Sequence, residues 1–260
     1  MRQFDVFVFD ENYDEAQGKL PQPPFTDPEL GWFFTSDWNK HLDEIEGEWV
    51  IFAHPSIKIN RNFLNNVAEV TDSFPMVDAF APRIRTDKGN FLGGYLLKPA
   101  AKGSDFVEID ENAPLRYVAA PHPFLAVFSR RIIQRTGGFD TTLPEYARLA
   151  DFTLRMMHAG GKMFSVPYLV AQATNEEAET VVSNANSEKA CGLMGVRDLK
   201  SIAIILSKAF GAEASVPFAL HHPSVILTLL RNRKQRKEKR KAATLLSKLK
   251  ADFLKEVTAK

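Results

Sequence analysis

Polar side chains stand where three predicted strands end. The strands and the residues that end them are Phe4–Phe9 with Asp10 and Glu11, 48–53 with His54 and Ser56, and 77–85 with Arg83 and Arg85. A carboxylate in such a position accepts a hydrogen bond from a nucleobase, or it forms a turn. A histidine can ligate a divalent cation, and guanidinium groups pair with diphosphate oxygens. These residue types favour nucleotide binding, and the alternative is a set of solvated strand ends.

Strands and helices alternate at short intervals over the first part of the chain, which predicts a layered α/β sheet. Beyond Ala171 the pattern is helical. The predicted strands are 4–9, 48–53, 77–85, 124–129 and 163–170, and the predicted helices are 36–46, 60–70, 132–136, 144–159, 196–210, 224–232 and 242–257. A loop or hairpin is expected over 87–110. We therefore divide the chain into an α/β domain, 1–172, and a helical extension, 173–260.

The composition is that of an ordinary globular protein, with 45% hydrophobic and 25% charged residues. Its 20 phenylalanines outnumber its 5 tyrosines, which favours aromatic rings in the core. A formal net charge of +1 restricts polyanion binding to local patches. Cys191 is the single cysteine, so a reducing compartment is expected. No apolar run is long enough for a transmembrane span, and the N-terminus lacks the pattern of a secretory signal.

The segment 137–167 resembles the C-terminal signature of family-2-type, GT-A-fold glycosyltransferases. In that family a Gly-Gly-Phe-Asp turn precedes a Glu-Asp-x-Asp-Leu-x-x-Arg helix, and Ala-Gly then leads into a strand ending in Val-Pro. The matching residues here are Gly137, Gly138, Phe139, Asp140, Asp151, Leu154, Arg155, Ala159, Gly160, Val166 and Pro167. The resemblance implies a GT-A-like, mixed but mostly parallel sheet flanked by helices, with a C-terminal helical appendage.

Two further segments extend the resemblance to about residues 4–172. Residues 39–57 look like the helix and strand that lead into the metal-binding Asp-x-Asp of the family, and residues 8–14 resemble the strand end that contacts the nucleotide base. The spacing from Asp10 to Ser56 suits the second strand of the family better than the first. Either the first β-α unit is missing, or the Phe4 strand replaces it in a shortened domain.

The resemblance implies a nucleotide-sugar donor, with Asp10 and Glu11 near the nucleotide. The position of the metal triplet holds His54-Pro55-Ser56. Because hard cations such as Mn²⁺ and Mg²⁺ prefer acidic oxygen ligands, this triplet implies a weakened metal site or none. The alternative is an ordinary strand end. Arg83 and Arg85 are then candidates for pairing with the diphosphate.

The general base of an inverting family member would fall on Arg148-Leu149, and neither residue can accept a proton. Glu145 lies a turn earlier and is the substitute candidate; the alternative is a first-turn acid favoured by the helix dipole. Asp151 matches a later aspartate that orients the site. Asp140 and His122 are placed on the acceptor side, and Gln172 lies near the place of a metal-binding histidine.

The segment 231–241 carries eight lysines or arginines in eleven residues. The apolar positions that follow have helical spacing; they are Leu245, Leu246, Leu249, Phe253, Leu254 and Val257. One interpretation is a peripheral anchor, 231–257, on an anionic membrane. Another is a helix packed on the body or on another subunit. Nucleic-acid binding is disfavoured because aromatic residues are not interleaved with the charges.

Together these features predict a glycosyltransferase that moves a sugar from a nucleotide donor to a glycan or lipid-linked acceptor. The competing prediction is a catalytically inactive glycosyltransferase-like module for binding or docking, because three positions of the chemistry depart from the pattern. A basic adaptor that acts through its tail is a third interpretation. We expect a cytoplasmic protein, peripheral at the inner membrane face if the tail binds lipid.

Overall fold

The computed structural model describes residues 2–10, 13, 23–86, 89, 91–100, 103–143, 145–173, 199–209, 211–245 and 257–258. Glu11, Cys191 and most of the segment after Leu245 lie outside these residues.

A seven-stranded sheet forms the centre of the described fold, in the order β10-β12-β5-β11-β3-β1-β2. Its strands are β1 (Phe4–Phe9), β2 (Leu30–Thr35), β3 (Trp49–Ala53), β5 (Ala79–Phe80), β10 (Arg116–Tyr117), β11 (Leu125–Ser129) and β12 (Met163–Ser165). Three of the six pairings are parallel and three are antiparallel. The sheet is therefore mixed, as expected, but it is not mostly parallel. Strand β1 pairs directly with β3.

A second sheet has the order β4-β13-β6-β7, and a separate hairpin joins β8 to β9. Their strands are β4 (Ile57–Lys58), β6 (Arg83–Thr86), β7 (Phe91–Leu92), β8 (Tyr95–Ala100), β9 (Gly103–Glu108) and β13 (Val170–Ala173). The hairpin lies within the predicted excursion 87–110.

Two predicted strands, 77–85 and 163–170, were wrong as single elements. Each begins in the large sheet, as β5 and β12, and continues in the second sheet as β6 and β13. Pro82 and Pro167 lie in the two interruptions. Because proline offers no N–H to a ladder, the chain leaves one sheet there and joins the next.

Helices cover both faces of the large sheet. Helix α1 (Arg61–Ser73) begins at Asn60, whose Oδ1 accepts a hydrogen bond from the Phe63 amide at 2.9 Å. It covers the face formed by Val6, Ile51 and Val127. The opposite face packs on α2 (Arg130–Thr136) and α3 (Glu145–His158) through an aromatic layer containing Phe7, Phe52, Phe128, Phe139 and Phe152. The phenylalanines therefore build the core, as their number predicted.

The predicted helix 36–46 is instead a pair of turns with a 3₁₀ segment, Leu42–Glu44. The Asp37 carboxylate accepts a hydrogen bond from the Asn39 amide at 2.9 Å, which closes a turn two residues long. His41 then adopts a left-handed backbone with φ 65°. A residue in that conformation cannot continue an α-helix.

The helical extension consists of α4 (Leu199–Ala209), α5 (Ala212–His221), α6 (Ile226–Arg231) and α7 (Arg233–Leu245). Its inner face shares one hydrophobic cluster with α3, in which Leu154 and Met157 meet Ala203, Leu206 and Leu229. The extension is therefore packed on the α/β body. No described helix is long and apolar enough to cross a membrane.

Candidate functional site: a cleft at the strand ends

A cleft of about 410 Å³ opens at the carboxyl ends of β1 and β3. Its lining residues are Val8, Asp10, Tyr13, Pro24, Trp32, Phe34, Pro55, Ile57, Lys58 and Ile59. Strands β2 and β3 flank β1 on opposite sides and run parallel to it, so the cleft lies where the strand order reverses. Ligands of open α/β sheets bind at this kind of place.

The walls of the cleft are mainly apolar and aromatic, with two opposite charges. Trp32 stacks near Phe34, with ring centroids 6.2 Å apart, on the face of the sheet that also carries Val8. Asp10 and Lys58 are the charged side chains among the described lining residues. A largely apolar cleft with few polar groups is typical of sites for small organic ligands.

Trp32 contributes an unused donor. Its indole Nε1 is buried and has no hydrogen-bond acceptor among the described residues. Because a buried N–H without an acceptor costs free energy, such a group is uncommon in a finished core. A ligand in the cleft could supply the missing acceptor.

In the predicted metal triplet, the polar atoms of His54 and Ser56 form hydrogen bonds with each other. The Nδ1 of His54 lies 2.8 Å from the Ser56 hydroxyl and 3.2 Å from the Ser56 amide nitrogen. Ser56 is buried, and the His54 ring stacks on Phe124 with centroids 4.4 Å apart. The described residues contain no group of three histidine, cysteine or acidic side chains placed to hold a metal. The residues present at His54 and Ser56 therefore do not fit a divalent cation.

His122 is buried at 1% exposure beneath this strand end. Its Nδ1 accepts a hydrogen bond from the Phe124 amide at 3.2 Å, and its ring meets Phe124 edge-on at 4.9 Å. Burial, together with the charge of nearby His54, lowers the pKa of His122 to about 3, so the imidazole is neutral near pH 7. A side chain held in this way braces the loop and does not reach an acceptor hydroxyl.

Arg83 and Arg85 point to one turn, 110–113, and away from the cleft. The Arg83 guanidinium donates to the carbonyl oxygens of Glu111, at 2.6 Å, and of Ala113. Arg85 forms an ion pair with the Glu111 carboxylate. The deeply buried Arg83 holds this turn and is not free for a diphosphate.

Gln172 is brought to the edge of the cleft by strand pairing. In β13 it lies opposite Lys58 of β4 on one side and opposite Arg85 of β6 on the other. All three side chains are exposed. Cross-strand neighbours on one face are in reach of each other, so Gln172 lies beside Lys58 of the cleft, while Arg85 on its other side pairs with Glu111.

Asp140 and Asp151 are buried in a charge cluster beneath the helical extension. Asp151 Oδ2 accepts a hydrogen bond from Arg155 Nε at 2.8 Å, and its Oδ1 lies 3.3 Å from Lys208 Nζ. Lys208 also bonds to Asp140, and Lys239 lies 3.6 Å from the same carboxylate. Exposure of the Asp140 and Asp151 residues is 2% and 1%. Both aspartates therefore stabilise packing in this arrangement and have no open path to an acceptor.

The pKa values follow from this cluster. Burial alone would raise the pKa of Asp140, but hydrogen bonds from Lys208 and Thr142 and the charges of Lys208 and Lys239 outweigh it and hold that pKa well below its usual range. Burial and repulsion from Arg155 and Lys208 lower the pKa of Lys239 despite the attraction of Asp140.

The residues at the expected base position are structural. Arg148 Nε donates to the Leu143 carbonyl oxygen at 2.9 Å, and its guanidinium lies over the Trp38 ring. Leu149 is buried in the aromatic layer. Glu145, the substitute candidate, is the first residue of α3, and its side chain lies outside those that the structure describes.

Of the residues singled out from sequence, the cleft thus contains Asp10 and the Pro55 of the triplet, with Gln172 at its edge. Tyr13 lies in the segment 8–14 that was expected near the base, whereas sequence reasoning missed Trp32, Phe34 and Lys58. The alternation of apolar and charged residues in Ile57-Lys58-Ile59 could have predicted a short strand with Lys58 exposed. Strand β2, which carries Trp32 and Phe34, was not predicted at all.

Comparison with solved structures identifies the architecture. GalNAc-T7, solved with UDP, GalNAc and Mn²⁺, superposes with a TM-score of 0.53 at 9% identity over 92% of this chain. The chain has a GT-A fold. It spans about half of GalNAc-T7, 54% of that chain. The low identity leaves the likeness at the level of the fold.

Other matches have lower TM-scores. Residues 1–349 of S. aureus TarS with UDP-GlcNAc match with a TM-score of 0.47 and 15% identity, over 93% of this chain and 79% of that fragment. The mannosyltransferase PcManGT of Pyrobaculum calidifontis with GDP-Man and Mn²⁺ matches with a TM-score of 0.42 and 14% identity, over 95% of this chain and 74% of that one. No family model and no curated protein matches the chain by sequence.

Proposed function

We propose that the protein is a glycosyltransferase that binds a nucleoside diphosphate sugar in the cleft at the ends of β1 and β3. The observation that carries the proposal is the cleft itself, which combines Asp10, Lys58 and aromatic walls at the strand-order reversal of a GT-A fold. GalNAc-T7, which shares this fold, was solved with UDP and a sugar.

The nucleoside end is assigned to Asp10 and the aromatic wall. The Asp10 carboxylate is the acceptor for base or ribose donors, while Tyr13, Trp32 and Phe34 supply flat apolar surface. The unused Trp32 Nε1 supplies a donor for a base carbonyl or a phosphate oxygen.

The diphosphate end is assigned to Lys58, without a divalent cation. His54 and Ser56 are occupied with each other, whereas Lys58 is an exposed cation in the cleft lining. A lysine ammonium binds phosphate oxygens as a point charge. It can therefore neutralise the departing diphosphate where acidic metal ligands are lacking.

Transfer requires a base as well as a donor. The acceptor oxygen bonds to the anomeric carbon as the bond from that carbon to the diphosphate breaks, and the acceptor proton passes to a carboxylate. We assign this base to Glu145 at the start of α3, because Arg148 and Leu149 cannot accept a proton. The acceptor in this proposal is a glycan or a lipid-linked acceptor.

Binding without transfer is the second candidate function. It is favoured by the ion pairs that bury Asp140 and Asp151 and by the loss of a base at 148–149. A module of this kind would bind the nucleotide sugar in the same cleft and dock a partner.

Calorimetric titration with UDP, GDP and their sugar derivatives tests the binding step. We expect one of them to bind equally well with Mn²⁺ and with EDTA, and Lys58→Met to weaken binding about tenfold through the lost charge-assisted contact. Lys234→Met, an exposed lysine on α7, is the matched control and should bind as the wild type does. Absence of binding by every nucleotide would reject both candidate functions.

Donor hydrolysis by the same protein separates the two functions. Slow release of nucleoside diphosphate by the wild type, lost in Glu145→Gln with binding intact, supports the transferase. Tight binding with no release by either protein supports the non-catalytic module.

A further inference from the structure

Helices α5 and α6 expose a group of large aliphatic side chains in the part of the chain that the structure describes. Eight large hydrophobic residues are exposed in the described part of the chain, and five of them cluster in these two helices and the turn between them. These five, the apolar patch, are Val216, Leu220, Ile226, Leu227 and Leu230. Leu220 and Leu227 are exposed by 74% and 72%, so both reach fully into solvent.

The patch is built by helical spacing. Val216 and Leu220 lie one turn apart on α5, and Leu227 and Leu230 lie one turn apart on α6. The opposite faces of these helices pack inward through Phe218 and other buried residues. One face of these helices therefore packs in the core, and the other is exposed among the described residues.

A basic face continues directly from the patch. Helices α6 and α7 are nearly continuous, because the Asn232 amide donates to Thr228 O at 3.1 Å and the Arg236 amide to Asn232 O at 2.9 Å. The exposed positions that follow are all charged, and the basic face consists of Arg231, Arg233, Lys234, Lys237, Arg240 and Lys241. Glu238 is the one exposed acid among them.

The other cations of the segment face inward. Arg236 bonds to Ser207 and to the Leu229 carbonyl oxygen, and Lys239 approaches Asp140. Apart from Arg240, which also lies against Gly211, the residues that pack the helix differ from those of the basic face. Substitution on the exposed face leaves the inner contacts in place.

The apolar residues expected to follow the basic segment do not supply this surface where they are described. Val257 is fully buried, and its carbonyl oxygen accepts a hydrogen bond from the Leu97 amide at 2.9 Å. The other predicted positions fall outside the residues whose side chains are described. The apolar part of the surface precedes the basic part in the chain, which reverses the expected order.

We propose that the apolar patch and the basic face together dock the protein on an anionic lipid bilayer. Aliphatic side chains beside a dense row of lysine and arginine match the acyl boundary and the headgroups of such a surface. A second copy of the chain is disfavoured as the occupant, because it would set one basic face against another. Nucleic acid is disfavoured because the patch carries aliphatic side chains and no aromatic ring for base stacking.

Flotation of the full chain with vesicles tests the docking. We expect binding to phosphatidylcholine vesicles that contain phosphatidylglycerol and little binding to phosphatidylcholine alone. The variant Leu227→Gln with Leu230→Gln, and separately Lys234→Gln with Lys237→Gln, should each bind about tenfold more weakly. The matched control, Met76→Gln with Leu115→Gln, removes two exposed apolar residues elsewhere and should bind normally.

Several outcomes would overturn the proposal. Equal binding to neutral and anionic vesicles would show that the basic face does not contribute to binding. Unchanged binding by the leucine variant would show that the apolar patch does not contribute. Full competition by inorganic phosphate would show a free-anion site. Concentration-dependent dimers in light scattering that the leucine variant abolishes, without vesicle binding, would assign the patch to a second copy. Nucleotide binding in the cleft is measured by a separate titration, so failure of the docking proposal can be distinguished from failure of the proposed function.

Discussion

Lys208 of α4 forms a buried ion pair with Asp140, which lies 68 positions earlier in the chain, and its ammonium is also 3.3 Å from Asp151. This lysine joins the helical extension to the two acidic residues that most resemble a glycosyltransferase signature. The extension therefore supplies the buried cation for Asp140, while Asp151 also pairs with Arg155 of its own helix.

Lys208→Met should destabilise the protein by about 3–5 kcal/mol, because it leaves buried carboxylates with fewer partners. Urea unfolding measures the change. Adding Asp140→Asn to Lys208→Met should recover part of the loss, and the double-mutant cycle gives the coupling. Lys234→Met is the exposed control. A loss below about 1 kcal/mol, as for a surface pair, would contradict this account.

Glu108 should make the protein less stable as the pH rises toward neutrality. Burial raises the pKa of Glu108 to about 7, although its carboxylate accepts a hydrogen bond from the Gly93 amide at 2.6 Å. The folded state therefore holds a proton that the unfolded chain releases above about pH 4.3, so stability falls between that value and pH 7. Glu108→Gln keeps the acceptor and should flatten this part of the profile of unfolding free energy against pH. An unchanged slope would place the titration elsewhere.

His122 should change the free energy of unfolding with pH in the opposite direction to Glu108. Since burial and His54 lower the pKa of His122 to about 3, the unfolded chain binds a proton below about pH 6.5 that the folded chain does not. Stability should therefore fall as the pH drops from 6.5 toward 3. NMR of the imidazole, or thermal unfolding of His122→Gln across this range, measures the effect. An imidazole that titrates near 6.5 in the folded protein would refute it.

Trp32→Phe should weaken nucleotide binding about fivefold and leave the fold intact. The change removes an indole N–H that has no acceptor among the described residues, so the free energy of unfolding should stay the same or rise slightly. Calorimetry and urea unfolding measure the two effects. Trp49→Phe, on the same sheet face but outside the cleft lining, is the control for nucleotide binding. Weaker folding with unchanged affinity would assign Trp32 to the core alone.

Much of the local structure could be predicted from the sequence. The alternation of Phe4–Phe9 predicted β1, the Gly137-Gly138 pair and the apolar spacing that follows predicted α2 and α3, and the helical pattern after Ala171 predicted the extension. The spacing of residues 137–167 also led to the GT-A fold, which the structural comparison confirmed. These features depend on periodicity and on hydrogen bonds a few residues apart.

The site depended on contacts that no local pattern contains. The position of Lys58 depends on its pairing with Gln172, which lies far away in the sequence. Trp32 lies on a strand that was not predicted. The sequence contains Pro82 and Pro167 as strand-breaking residues, but it did not predict that the chain continues in a second sheet after each of them.

The sequence by itself determined the order of most helices and strands, the aromatic core and the resemblance in residue spacing over 137–167. These features depend on side-chain periodicity and on backbone hydrogen bonds, which act over short distances along the chain. Only the tertiary structure decided that Asp140 and Asp151 are buried under Lys208 and that Asp10 and Lys58 share a cleft. Those relationships depend on how distant elements pack, and packing is set by the whole set of buried surfaces rather than by any one segment.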